Sequence, residues 1–320
     1  MLSFDKEVSK QSNLDSFLNC TTPVVPSQFL SKSEMRKLNK LYPWEREKVV
    51  RFFTLGDLWD SFDEWSACGL GVPIISDGGH NLTQYFVPYL SAIQIFTTID
   101  LRDREDMDSI STETRNSSSD SFSDESESEK LSRWDGCSSE EGLVYQDSFR
   151  NSDERLGNLY FQHFETSSPY GRVPLVDKVN SFSQRYRGIT TYRSVDLLPA
   201  SWMAVSWYPI YHIPMGRTIK NFQTCFLTYH TLSSCFQDSR ELEDNIENFE
   251  ARRKLGGESI SLRPFGLATY KMQVDVWISD KNGEDGERLA SLLGAADCWL
   301  KQLQVQHHDF NYFMGWFRQG

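Results

Sequence analysis

No run of about 18 consecutive apolar residues occurs in this chain of 320 residues, so its pattern holds no helix of membrane-spanning length. The first residues, MLSFDKEVSKQSNLDSF, have no apolar core of the secretory kind. They carry Asp5, Lys6, Glu7 and Lys10 and no arginine, so neither a secretory signal nor an organellar transit peptide is expected there. Positive charge is short as well. Lys and Arg number 33 against 45 Asp and Glu, a net charge of −12. Nucleic-acid binders rely on clustered Lys and Arg to displace counterions, so no nucleic-acid partner is expected. The six cysteines, Cys20, Cys68, Cys137, Cys225, Cys235 and Cys298, form no C-x-x-C pair. They read as reduced thiols of a cytoplasmic or nuclear protein.

Catalytic spacings are missing too. G-x-S-x-G does not occur. Gly69–Gly71 and Asp77–Gly79 lack the Lys-Ser/Thr that makes a phosphate loop. His307 and His308 are adjacent on an expected helix and diverge by roughly 100°, which is unsuited to chelation. Cys68 and His80 form a conceivable nucleophile and base, but nothing in the sequence orients the base. His163, His212 and His230 each fall in an expected strand, separated by 49 and 18 residues. Those spacings carry no ligand motif, and no cofactor is expected.

What the chain does have is aromatic side chains, 13% of residues with nine Trp. They suit either a core of large rings or an aromatic-lined pocket or interface. It also has an acidic, serine-rich run, SISTETRNSSSDSFSDESESEK, Ser109 to Lys130, inside a polar stretch of residues 100–154. Such a segment buries too little apolar surface to offset its ordering entropy and reads as a disordered insert. Ser117, Ser121, Ser126 and Ser138 each have an acid three residues on. That is the pattern an acidophilic kinase takes, though composition alone also produces it. The Arg36, Lys37 and Lys40 face of an expected helix is a candidate basic dock for the segment.

Residues 1–12 read as a disordered tail. Residues 13–99 and 155–320 read as two parts of one α+β domain, with a charged surface excursion at 237–257. Asp57 is a plausible cap for one helix running to Gly69, and Asp177 for another through Tyr186. Gln84–Phe96 is strand-like, with Pro88 breaking it or placing it at an edge. Ser201–Pro214 and Thr224–Leu232 are also strand-like, with Pro209 and Pro214 pointing to an edge or a bulge. Thr269–Ser279 alternates apolar and polar residues and reads as the clearest strand, leaving Trp277 on its wet side. Leu292 to Phe313 follows helical spacing as one long amphipathic helix lying across the sheet. The fold class expected is therefore α+β, a single domain with a mainly antiparallel sheet covered by amphipathic helices and interrupted by the acidic insert.

On the strand from Ser201, Trp207 and Tyr211 share one face with Met203 and Val205, while Trp202 and Tyr208 share the other with His212. Both faces are bulky, so a core explains one and a helix or a ligand must cover the other. Trp207, Tyr211, His212 and His230 are the candidate pocket or interface residues. A binding or regulatory module with an unidentified protein partner is the leading expectation. An enzyme or small-molecule binder with an aromatic pocket is the alternative.

Five segments carry a family resemblance: SNLDSFLNCTTPVVPSQF, LGDLWDSFDEWSACGLGVPI, YFVPYLSAIQIF, LYFQHFETSSPYGRVPL and SWMAVSWYPIYHIP. Taken in order, they resemble a plant family known as domain of unknown function 789. The resemblance covers most of the chain outside the tail and the two charged stretches. It implies a land-plant protein and brings no activity, cofactor or catalytic residue with it.

Overall fold

Strand β5, Asn81–Thr97, is the axis of the fold. In the computed structural model of the chain, residues 12–31, 33–34, 50–75, 79–97, 157–213, 223–234, 259–278 and 283–317 are described. Ser117, Ser121, Ser126, Ser138, the Arg36–Lys40 segment, Pro214 and residues 237–257 lie outside them.

Every residue of β5 from Leu90 to Thr97 is buried, as suits a strand covered on both faces. Strand β7, Trp202–Ile213, runs antiparallel along one edge of β5. The other edge is shared by two strands. Strand β4, Leu70–Ile75, pairs with β5 as far as Phe86, and strand β6, Asn158–Phe164, pairs with it from Ala92 onward. Pro88 falls in the gap between them, where a residue without a backbone donor is tolerated. Beyond β7 come β8, Cys225–Thr231, and β10, Gly266–Tyr270, giving the order β10-β8-β7-β5-β4 with β6 beside β5. All these pairings are antiparallel. The chain is thus α+β with a mainly antiparallel sheet. That sheet takes β4 and β5 from before residues 98–156 and the rest from after them.

Strand β8 reaches only Trp207 of β7, and the β5–β7 register skips Ile210. Pro209 therefore sits on a half-paired stretch next to a bulge. Two short ribbons complete the strands among the described residues: β1, Val24–Pro26, with β9, Ser259–Ser261, and β2, Gln28–Phe29, with β3, Arg51–Phe52.

One face of the sheet is covered by α1, Asn13–Cys20, α2, Leu55–Asp60, α3, Asp63–Cys68, α4, Leu175–Ser183, and α5, Gly188–Thr191. Thr54, rather than Asp57, caps α2, and Asp57 closes a capping box by reaching back to the Thr54 backbone. The stretch expected as one helix to Gly69 is two, broken at Ser61–Phe62. Helix α4 starts after Pro174, with Asp177 in its first turn. Phe17 stacks on Phe226 at 3.8 Å, and Phe86, Trp207 and Trp277 surround that pair.

The expected strand from Thr269 to Ser279 is corrected. Strand β10 ends at Tyr270, opposite Cys225, the first residue of β8; Lys271 takes a left-handed φ of 53°, and a short helix α6, Val274–Trp277, follows. That turn swings the Trp277 ring into the aromatic cluster, 4.8 Å from Phe226, so it is wholly buried rather than wet.

The second face carries Ala92, Trp202, Ala204, Leu227, Tyr229 and Ala268 beneath α7, Glu284–Gln302, and α8, His308–Phe317. These helices cover Trp202 and Tyr208 on the second bulky face of β7, whereas His212, expected on that face, is turned to the other by the skipped Ile210. They replace the single helix expected from the spacing, because Gln304 adopts a left-handed φ of 54° and breaks the run. Gly266 lets α7 approach closely: a Cβ there would lie 2.9 Å from the Ala296 methyl.

Candidate functional site

The break between α7 and α8 delivers two side chains, His307 and Asp309, onto the sheet. Beneath them is Ser91, the extra residue where the β5–β7 register shifts between Leu90 and Ala92. A bulge of this kind re-aims a side chain, here toward α8. Tyr229 of β8 stands on the same face, with Ala92 and Ala204 as small neighbours. Arg172 arrives from the loop after β6, just past a 3₁₀ turn at Pro169–Gly171.

These five side chains form one chain of hydrogen bonds. The Tyr229 hydroxyl lies 2.8 Å from His307 Nδ1, and His307 Nε2 lies 2.9 Å from Ser91 Oγ. Ser91 Oγ donates to Asp309 Oδ2 at 2.5 Å. Arg172 holds both Asp309 oxygens at 2.7 Å and the Ser167 carbonyl at 2.8 and 3.0 Å. Ser91 has one proton, and it goes to Asp309. Its Oγ therefore accepts from His307 Nε2–H, which leaves Nδ1 to accept from Tyr229. His307 is then neutral with its proton on Nε2. Consistently, burial lowers its pKa to about 4 against the opposing pull of Asp309. Burial likewise pushes the Tyr229 hydroxyl well above its usual range. Burial works against the Arg172 charge, yet the bonds from Asp309 outweigh it and the pKa is raised.

Serine beside histidine suggests nucleophilic catalysis, but the arrangement differs from that requirement in two ways. A general base must accept the serine proton, whereas His307 donates to Ser91. All four of Ser91, Tyr229, His307 and Asp309 are also buried, with Ser91 and Tyr229 at 0% exposure. The network joins the Arg172 loop and the α7–α8 break to the centre of the sheet.

The residues singled out in the sequence lie elsewhere. Trp207 is buried and donates its indole N–H to Thr228 Oγ1 at 3.0 Å. His230 contacts the same oxygen through Nε2 at 2.9 Å and donates Nδ1–H to the Leu262 carbonyl at 2.8 Å. Burial lowers its pKa to about 4. Tyr211 and His212 sit at the far end of β7. Tyr211 is half exposed and stacks on Tyr85 at 4.6 Å, while His212 is buried opposite Gln84. The structure thus brings Trp207 and His230 to one hydroxyl and sets Tyr211 and His212 apart. His163 on β6 faces Glu165 at 3.7 Å, and among the described residues no His, Cys, Asp and Glu side chains gather as a metal-holding group.

Where α7 and α8 do not reach, the sheet carries an apolar patch. Register places Pro73, Thr83 and Ile213 in one row and Gly71, Tyr85 and Tyr211 in the next. Ile75, Tyr211 and Ile213 are all exposed there. Around the edge lies a cleft of about 450 Å³ lined by Asn13, Ser16, Ile75, Asn81, Thr83 and Ile213 among others. Trp207, Tyr211, His212 and His230 are not among its lining residues. Sequence reasoning missed the buried network because Ser91, Arg172, Tyr229 and His307 come from four separate segments with no shared spacing. The one hint was the His307–Asp309 run, polar residues within an apolar helical stripe.

An antiparallel sheet between helical layers, with its Ser–His–Asp–Arg side chains spent on internal bonds, defines an α+β protein whose polar network ties elements together. The chain belongs to the family described as Protein of unknown function (DUF789), whose model matches residues 12–313. No curated protein and no solved structure matches it. Among the described residues no helix is long and apolar enough to cross a membrane.

Proposed function

We propose that this chain is a non-enzymatic binding or regulatory module. The observation that carries this reading is the direction of the bonds around Ser91. The densest set of catalysis-type side chains among the described residues is sealed, and its protons are committed to one another. The contact surface assigned to the module is the sheet end around Tyr85, Tyr211 and Ile213, which no described helix covers and where the exposed Tyr211 ring and aliphatic side chains suit a protein partner. Residues 98–156 hold 17 acidic and seven basic side chains, so most of the chain's net charge of −12 lies in that stretch. Phosphorylation by an acidophilic kinase at some of Ser117, Ser121, Ser126 and Ser138 is the regulatory input, each phosphate adding about −1.5 to −2 charges.

The competing reading is a small-molecule binder or enzyme, which the cleft beside Ile213 favours. A thermal-shift screen with metabolites, together with metal analysis of the purified protein, separates the two. A ligand at about 100 times its dissociation constant adds about 2.7 kcal/mol of apparent stability. A metabolite hit with turnover, or stoichiometric metal, overturns the module reading. Loss of cross-linked partners in the Tyr211→Ser/Ile213→Ser double variant, with the melting temperature held, supports it. Intact mass of protein purified from its native cells tests the phosphorylation: no added phosphate within residues 100–154 refutes it.

A further inference from the structure

Only two of the 11 prolines follow a serine or threonine, Pro23 after Thr22 and Pro169 after Ser168. The fold treats these two dipeptides in opposite ways. Thr22 lies just past the C-terminal end of α1 and donates its hydroxyl to the Leu18 carbonyl at 2.6 Å. Pro23 behind it is buried, and its carbonyl accepts from the Leu262 backbone at 3.0 Å. The hydroxyl is committed, and the backbone around it is held by β1, β9 and α1.

Ser168 is exposed, with φ −56° and ψ 146°, an extended conformation that its following proline favours. It occupies the capping position of the 3₁₀ turn, yet its side chain makes no capping bond. Tyr170, two residues on, is fully exposed. The loop is fastened from its inner side. The Ser167 N–H donates to Glu165 Oε1 at 2.9 Å, and the Ser167 carbonyl takes two bonds from Arg172. The Gly171 N–H closes the turn on the Ser168 carbonyl at 2.9 Å. The inward groups of this turn are therefore bonded, while Ser168 is exposed on an extended backbone and makes no capping bond.

We infer that Ser168 is a phosphorylation site for a proline-directed Ser/Thr protein kinase, and that the fold withholds Thr22, the chain's other such dipeptide, from the same enzyme. The step moves the γ-phosphoryl group of ATP to Ser168 Oγ. An Oγ–P bond forms, the bond from the γ-phosphorus to the β–γ bridging oxygen breaks, and ADP leaves. The hydroxyl proton passes to the catalytic carboxylate of the kinase. This site is separate from the acidophilic sites proposed in residues 100–154, and its failure leaves that proposal standing.

The test incubates the folded full-length chain with a proline-directed kinase and magnesium ATP and maps phosphate by peptide mass. One phosphoryl group is expected on Ser168. It falls to background in Ser168→Ala and in Pro169→Ala, while both variants keep the wild-type melting temperature. Thr22 stays unlabelled in the folded chain and becomes labelled once the chain is denatured. An unlabelled Ser168, wild-type labelling of Pro169→Ala, or Thr22 labelled in the folded chain as fast as Ser168 overturns the inference.

Discussion

Arg172 grips Asp309 with two parallel bonds of 2.7 Å, across 137 residues of sequence, with both side chains almost wholly buried. The pair fastens the loop after β6 to the first turn of α8. Asp309 in turn holds Ser91 on the central strand, so the loop, the helix break and the sheet are tied at one point. Arginine suits this position because its planar fork matches a carboxylate and still has donors left for the Ser167 carbonyl.

Replacing Arg172 with alanine strands a buried carboxylate. The expected loss of unfolding free energy is about 3–5 kcal/mol, measured by denaturant titration. Removing both charges, as in Arg172→Met with Asp309→Leu, should recover much of that loss, because no unpaired charge remains. A single variant that unfolds within 1 kcal/mol of wild type, on the order of a surface pair, refutes the buried clamp.

Acid should weaken the fold before its carboxylates titrate. His230 and His307 have folded pKa values of about 4, and burial is the first cause in both. The unfolded chain binds their protons near pH 6.5. Both are therefore neutral in the fold and take up protons on unfolding at any pH between those values. The stability they contribute is present above about pH 6.5, falls as pH is lowered, and levels off below about 4, a total on the order of several kcal/mol. His307→Gln should flatten the slope in that window while leaving the His230 share. An unchanged slope in that variant means that His307 is not held neutral.

The sheet was legible where strand and burial agree. From Ser201 on, alternation assigned Met203, Val205, Trp207 and Tyr211 to one face; the structure keeps the first three there, while the skipped Ile210 turns Tyr211 to the other face, beside Tyr85. Legibility failed where backbone conformation decides. Lys271 and Gln304 both take a left-handed φ that side-chain periodicity does not encode. Periodicity alone therefore places Trp277 on the wet side and joins α7 and α8 into one helix. The buried network depends on that second break and on the bulge at Ser91, so its members were unreadable as a group. Tyr211 and His212 were singled out as neighbours of Trp207, but the skipped residue Ile210 and the end of β8 at Trp207 separate their surroundings.

Thr97 and Asn158 are register partners at the end of the β5–β6 pair, so residues 98–157 leave and re-enter the sheet at adjacent positions. Deleting residues 105–150 should cost no stability. Shortening the loop should add on the order of 1 kcal/mol through a smaller closure entropy. Limited proteolysis should cut first between residues 100 and 154 and leave two fragments that stay associated, since β5 pairs with both β6 and β7. Fragments that separate without denaturant refute the single-domain reading, and a large loss of melting temperature on deletion shows that the segment packs in the fold.

Asn13 protects the outer edge of the sheet. Its amide donates to the Ile75 carbonyl at 2.8 Å and to the Val276 carbonyl, while its oxygen accepts from the Ile75 N–H at 2.8 Å. It thereby stands in for a neighbouring strand at Ile75, and Pro73 leaves the same edge strand one donor short, two devices that discourage another chain from pairing there. Asn13→Ala should lose about 1–3 kcal/mol, because the backbone groups it satisfied are left partly buried without partners. Asn13→Asp should lose more at neutral pH, since a carboxylate then faces two carbonyl oxygens. Those carbonyls raise the acid's pKa in the fold, so that excess should shrink as pH falls toward about 4, where the unfolded chain also becomes protonated, and level off below it. The edge-guarding role also predicts self-association of Asn13→Ala through β4, read by light scattering against concentration. If Asn13→Asp proves as stable as wild type at neutral pH, the amide donors are not what holds this edge.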